Sequence, residues 1–289
     1  MKVPERNKRQ PSQRPRGSEK AHGREAVSPA EYARRRAALC ERCGDAVAVL
    51  AGNTEAERGE LRSGFFQDSN FSYFTGWLQP GAMLVLAPQG RSGPPLEVLV
   101  LPDHDPGRTL WSGPASDASD PGLAERLGIA RVMRRCQFET LIAESLARRE
   151  RLACLTGSKL EERLKAAFPF REIRPLNDEI AALRMSKSPS EIALIREAIG
   201  ITAEGQLRGW RSLQTSSNEF EVAADVTHEF LRRGAGRHSF APIVASGDNA
   251  CVLHYSRNRA PLRKGVLAIL DVGAEYEGYA GDLTRTVPV

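Results

Sequence analysis

VLAILDVGAEYEGYAGDLTRTVPV, residues 266–289, is the stretch on which the reading of the chain turns. Its apolar first half predicts a strand over Val266 to Val272, with Asp271 near its end, and Tyr279 to Val287 predicts a second strand. Between them, Glu275-Tyr276-Glu277-Gly278 carries Gly at the fourth position that a type I turn favours. With Tyr276 and Glu277 as the loop, cross-strand partners have numbers totalling 553, so Asp271 faces Asp282 roughly 5 Å away at Cβ. A bulge at Gly278 leaves the two as diagonal neighbours instead. Two ionised carboxylates this close repel each other. A shared proton, Arg285 or plain exposure would relieve the repulsion. So would a divalent cation such as Mn²⁺ or Mg²⁺, for which carboxylates are suitable hard donors, and a bridging carboxylate suits a pair of metals.

Working outward, Ser188-Pro189-Ser190-Glu191 has the form of a capping box, and Ile192, Ile195 and Ile199 then predict an amphipathic helix. Asn218 with Glu221 caps another helix, whose Phe220, Ala223, Ala224 and Thr227 are expected on one face, with Gly234 and Gly236 ending it. Strands follow at Phe240 to Ala245 and Ala250 to Tyr255, which puts His254 at a strand end ahead of the acidic hairpin. Taken alone, such a histidine is more often a satisfied core residue than a ligand. Earlier in the chain, Ser28-Pro29-Ala30-Glu31 repeats the capping signal before a helix that Gly44 stops after Cys43. Strands at Ala46 to Ala51, Met83 to Ala87, Glu97 to Leu101 and Leu152 to Leu155, with a helix near Phe138 to Arg149, predict an α/β domain with a mostly buried sheet. The division expected is a basic, disordered tail over residues 1–28, an α/β domain over 29–174 and a second domain over 175–289, entered through a short helix from Asp178 to Met185.

Composition narrows the function classes. At 289 residues and 41% hydrophobic the chain can bury a real core. Its net charge of +5 lies wholly in residues 1–28, which hold eight Lys/Arg against three Asp/Glu; the rest is balanced. The folded part therefore has no net electrostatic reason to bind nucleic acid. No apolar run approaches a membrane span, and the first residues lack the apolar core of a signal peptide, so a cytoplasmic protein is expected. Five irregularly spaced cysteines argue for reduced thiols, and the Cys40/Cys43 CxxC lacks the second pair a zinc site needs.

The motifs gain meaning in order. Gln67-Asp68-Ser69-Asn70-Phe71-Ser72-Tyr73-Phe74-Thr75-Gly76-Trp77, then Arg184 with Lys187-Ser188-Pro189-Ser190-Glu191-Ile192, then Ser246-Gly247-Asp248-Asn249, Leu253-His254-Tyr255 and Asp271 through Thr286 resemble the pita-bread metallopeptidases. Within that group they most resemble the aminopeptidase P, or Xaa-Pro aminopeptidase, family. The resemblance implies a creatinase-like N-terminal α/β domain with a mixed sheet, followed by a pita-bread (α+β) catalytic domain of which only the first part is expected here. It also implies a centre of two divalent ions, Mn²⁺ by expectation, held by Asp271 and a bridging Asp282, with His254 contacting a proline-containing peptide. The family's further histidines and glutamates all follow the bridging aspartate, and none can be assigned within the seven residues after Asp282. The aromatic cluster Phe65, Phe66, Phe71, Tyr73, Phe74 and Trp77 reads first as core. A family-like alternative is a homo-oligomer through the N-terminal domain, with Trp111 reaching a neighbour's substrate site. A non-catalytic interaction module and a prolidase-like dipeptidase are the competing functions.

Overall fold

The computed structural model describes residues 27–55, 59–60, 64–88, 95–103, 107 and 116–289. The basic tail, apart from Val27 and Ser28, and Trp111 lie outside these residues. Helix α1 (Pro29–Cys43) starts as its sequence asks: Ser28 is the N-cap and accepts from the Glu31 amide, Pro29 opens the first turn, and Gly44 ends the helix at φ 63°. Strand β1 (Val47–Ala51) follows. After β2 (Gly59–Glu60) and β3 (Gly64–Phe65) come α2 (Ser69–Thr75), β4 (Met83–Ala87), β5 (Leu96–Leu101), α3 (Leu123–Leu127) and β6 (Arg131–Arg134). Helix α4 (Phe138–Leu146), β7 (Arg151–Cys154), α5 (Lys159–Ala167) and β8 (Glu172–Pro175) complete the first sheet.

That sheet is mixed, in the order β6-β5-β4-β1-β7-β8. Strand β1 runs antiparallel to β4 and parallel to β7, so the direction changes in the middle of the sheet. Its central strands are unbroken apolar runs because helices cover both faces. On one face Leu39 of α1 and Phe71 and Phe74 of α2 pack with Leu50 and Leu84. On the other, Phe138, Ile142 and Leu164 pack with Val47, Val49 and Val85. The aromatic cluster is therefore mainly core: Phe71, Phe74 and Trp77 are buried. All five cysteines are free. Burial pushes the Cys40 and Cys43 thiols up to about 11 and about 12, so the CxxC is held protonated and inert.

The second part begins with α6 (Asn177–Met185), α7 (Pro189–Leu213) and α8 (Glu219–Arg232). The capping box at Ser188 and Glu191 is complete in both directions. The faces of these two helices are not the ones the isoleucines and Phe220 suggested. Helix α7 buries Leu194, Ala198, Ile201, Thr202, Gly205, Gln206 and Gly209, while Ile192 and Ile199 are 39% and 49% exposed. The reason is close approach: a Cβ on Gly205 would sit 2.2 Å from the Phe230 ring, and one on Gly209 would sit 2.8 Å from Val226. Small residues let α8 lie against α7, and Ile192 and Ile199 turn outward. Helix α8 correspondingly buries Val222, Val226 and Phe230, with Phe220 half-exposed.

Six short strands finish the chain. They are β9 (Arg237–His238), β10 (Ile243–Ser246), β11 (Leu267–Val272), β12 (Ala274–Tyr276), β13 (Tyr279–Ala280) and β14 (Leu283–Pro288). They form two antiparallel three-stranded sheets, β10-β11-β14 and β13-β12-β9, joined through Gly273 and Gly281. The expected strand over Ala250 to Tyr255 does not form. Residues Gly247–Cys251 make a 3₁₀ turn, and Val252 and Leu253 stand 54% and 92% exposed, so no packed face rewards an extended conformation there. Among the described residues no helix is long and apolar enough to cross a membrane.

Candidate metal centre and its surroundings

The hairpin turn differs from the type I turn expected. Tyr276 pairs with Tyr279, so the two loop residues are Glu277 and Gly278, both with positive φ (49° and 80°). Such a turn matches the right-handed twist of the flanking strands, and Gly278 takes its backbone conformation without strain. Partner numbers now total 555, and Asp271 faces Thr284 rather than Asp282. Thr284 donates its hydroxyl to Asp271 Oδ1 at 2.8 Å. Asp282 falls opposite Gly273, two residues before Thr284, which makes the acids diagonal neighbours at about 7–8 Å by ordinary sheet geometry. Asp282 immediately precedes β14, and continuing that strand's alternation back from Thr284 would set it on the Thr284 side of the hairpin. Arg285 does not relieve their repulsion: it pairs with Leu270, on the opposite face from Asp271, and donates to the Thr284 carbonyl.

What seats the acids is the hairpin's contact with α7. Thr202 is wholly buried; its Oγ1 donates to the Ala198 carbonyl at 2.7 Å and accepts from the Ala274 amide at 3.0 Å. At Gly281 a Cβ would lie 2.3 Å from Thr202 Oγ1 and 2.8 Å from the Ala198 carbonyl oxygen. Beside Asp282, therefore, only glycine allows the backbone to lie this close to the helix. Gly273, opposite Asp282, has equally little room, with the Gly281 carbonyl 2.1 Å from where its Cβ would be. Asp271 is half-buried and Asp282 exposed. Both offer hard oxygen donors to a divalent ion, and Asp282 has no hydrogen-bond or ion-pair partner among the described residues. They fit such an ion as part of a donor set. No cluster of three or more His, Cys, Asp or Glu suited to a metal occurs among the described residues.

His254 is exposed, in the loop between β10 and β11 rather than at a strand end. That loop is tied to Glu219, which the sequence reading passed over in favour of Asn218 and Glu221. Asn218 is the N-cap of α8 by position but caps nothing with its side chain. The next residue, Glu219, is fully buried. Its Oε1 accepts from Ser246 N (2.9 Å), Ser246 Oγ (2.8 Å) and Asn249 Nδ2 (3.2 Å), and its Oε2 from Tyr255 OH (2.7 Å) and Ala260 N (2.9 Å). Burial pushes this carboxyl up, and the hydrogen bonds outweigh it and hold the group below the ordinary carboxylate value.

A cleft of about 990 Å³ lies between the first sheet's helices and α7, lined in part by Tyr32, Arg35, Tyr73, Arg184 and Tyr279. Neither acid of the hairpin nor His254 lines it. Here the two capping segments meet. Ser188 donates to Glu31 Oε1 at 2.6 Å, Arg35 lies 3.3 Å from Glu191, and Tyr279 donates to Glu191 at 3.1 Å. Arg237, paired with Glu275, stacks 3.8 Å from the centre of the Phe66 ring. The first domain thus grips the hairpin's far end.

Residues 32–153 match the family model of the aminopeptidase P N-terminal domain, and residues 193–289 match that of metallopeptidase family M24. The chain belongs to the aminopeptidase P family. It is 32% identical over 284 residues to the Xaa-Pro aminopeptidase of Escherichia coli (strain K12), covering 91% of this chain and 63% of that one. To the Haemophilus influenzae Xaa-Pro aminopeptidase it is 33% identical, covering 78% of this chain and 52% of the relative. Aminopeptidase P from E. coli with the inhibitor Pro-Leu superposes with a TM-score of 0.83 at 29% identity, over 91% of this chain and 63% of that one. The chain thus spans under two thirds of the length of these relatives. Its fold is that of the family: a mixed α/β domain followed by part of the M24 domain.

Proposed function

We propose that this chain carries the substrate-facing first part of a metal-dependent aminopeptidase that releases the N-terminal residue from Xaa-Pro peptides. What supports the reading is one observation above all: within the M24-matched segment, two carboxylates with no basic partner among the described residues lie on a hairpin that Gly281 lets approach α7 closely. In this reading Asp271 and Asp282 would hold the divalent ions, two of them and Mn²⁺ by preference, and the domain change lies at Pro175. Bound there, the metals supply Lewis acidity toward the scissile carbonyl and the attacking water. Thr284 orients Asp271 by its hydrogen bond. His254, exposed in the loop ahead of β11, donates a hydrogen bond where negative charge develops on the substrate oxygen. A proline in second position has a tertiary amide with no N–H, so a site that does not use that donor is required.

The reading carries a cytoplasmic location, in keeping with five free cysteines, and self-association through the N-terminal domain, which sedimentation of the purified chain tests. Activity is tested by assaying an Xaa-Pro peptide with and without Mn²⁺. Two proteins are compared: this chain, and a chimera continuing it with the C-terminal portion of the E. coli relative. The chimera is expected to show Mn²⁺-dependent turnover that Asp282→Asn abolishes. A folded chimera without turnover, or one indifferent to Asp282→Asn, overturns the reading.

A further inference from the structure

The segment 247–260 has little of its own to hold it in place. It contributes one buried side chain, Asn258, which accepts from the Val244 amide at 2.8 Å and donates to the Pro242 carbonyl at 2.7 Å. Val252, Leu253 and His254 are exposed, so apolar burial does not fix this stretch. Yet its start, middle and end converge on one carboxylate. Glu219 receives donors from Ser246 and Asn249 at the start, from Tyr255 next to His254, and from Ala260 at the end. The Glu219 amide in turn donates to the Ala260 carbonyl at 3.1 Å, closing the loop on α8 from both sides.

A carboxylate has about four lone-pair sites, and five donors occupy them fully. An uncharged side chain could not satisfy the same set: an amide nitrogen facing the Ala260 N–H would set donor against donor. We propose that Glu219 is the positioning residue of this site, fixing the 247–260 loop on α8 and thereby holding His254 in register with the Asp271/Asp282 hairpin. The assignment rests on the reading of His254 as a substrate-contacting group. It goes beyond that reading in naming the residue that makes the histidine's place reproducible. Tyr255 is the nearest link, since its hydroxyl is the donor adjacent in sequence to the histidine.

The test compares wild type with Glu219→Gln and with the milder Tyr255→Phe, which removes one donor and leaves the carboxylate in place. Hydrogen exchange over residues 247–257 and the ring signals of His254 in ¹H–¹³C spectra are recorded on this chain. Exchange in the loop is expected to rise about ten- to hundredfold in Glu219→Gln and less in Tyr255→Phe, the size set by losing charge-assisted hydrogen bonds. Apart from Ser246, whose amide also donates to Glu219, β10, β11 and β14 should be unchanged, and the His254 signals should shift or broaden. Loop exchange unchanged in both variants overturns the proposal, as does a rise spread evenly over the sheet, which would mark Glu219 as a general stabilising residue. Where the Xaa-Pro assay gives turnover, both variants should lower kcat with KM unchanged. If His254→Ala leaves turnover intact, the histidine's role fails and the positioning role with it. Loop exchange that still responds to Glu219→Gln separates that result from failure of the clamp itself.

Discussion

In the first sheet, Val49 and Leu50 of β1 point to opposite faces and are both buried; in β11, Leu270 is buried while its neighbour Asp271 is only half-covered. The contrast repeats along each strand. β1 and β4 are covered on both sides by helices, so their side chains serve packing alone. β11 and β14 turn Leu270, Val272 and Val287 toward the helices and leave Asp271, Thr284 and Thr286 outside. A sheet packed on two faces has no place for chemistry except at its rim. One packed on a single face can present a row of oxygen donors. That difference assigns the two domains their work: the first provides a rigid body that grips the hairpin's far end, and the second presents the acids.

The largest expected effect breaks the two-faced domain. Arg36 is 1% exposed, pairs with Glu97, and donates to the carbonyls of Phe74 (2.9 Å) and Gly128 (2.5 Å). Arg36→Ala strands these acceptors and should cost about 3–5 kcal/mol, read from urea unfolding. An unchanged unfolding midpoint would show that the pair is dispensable to the closed core. At the hairpin, Gly281→Ala forces a Cβ against Thr202 and the Ala198 carbonyl, and should cost about 2 kcal/mol. Unlike Arg36→Ala, it should also weaken Mn²⁺ binding by displacing Asp282. Equal metal affinity in both variants would erase the distinction between the domains.

How far the sequence disclosed this depended on burial. Met83 to Ala87 was legible to the residue because an unbroken apolar run has one packed solution. Edge strands β6 (RVMR) and β8 (EIRP) were not, since each pairs on one side only and keeps charged side chains in water. The hairpin was legible, but its register was not, because both turn placements satisfy local propensity and only the flanking strands' twist selects Glu277-Gly278. Helix α7 was legible as a helix through Ser188 and Glu191, yet its packed face was hidden, because Gly205, Gly209 and Ile201 rather than Ile192 and Ile199 make the contact. Glu219 was invisible for a different reason: its five partners come from a loop about thirty to forty residues later, and no local pattern announces such a convergence.

The smallest expected effect lies where β9 meets α8. His238 on β9 is bound through Nε2 to the Thr227 hydroxyl at 2.9 Å. That hydroxyl gives its own proton to the Ala223 carbonyl, so Nε2 is the donor, and Nδ1 is buried without a partner. Burial pushes the imidazole below its ordinary value of 6.5. The neutral ring is thus favoured in the folded state. Its contribution is present in full above pH 6.5 and is lost as pH falls below it, because the unfolded chain takes up the proton first. Between pH 7 and pH 6 the loss should be at most about 1 kcal/mol, and His238→Gln should flatten it. A wild-type stability constant over that range would show the ring protonates without penalty.

The central claim, that Asp271 and Asp282 form one cation-binding face, is tested most directly by following the electron paramagnetic resonance signal of free Mn²⁺ as this chain is added. With two carboxylates and few other donors, binding should be weak but measurable for the wild type. It should be lost in Asp271→Asn and in Asp282→Asn, while near-ultraviolet circular dichroism and the unfolding midpoint stay within about 0.5 kcal/mol of wild type, as for surface changes generally. Mn²⁺ uptake that is equal in the wild type and the double variant, or absent from both, would contradict the account.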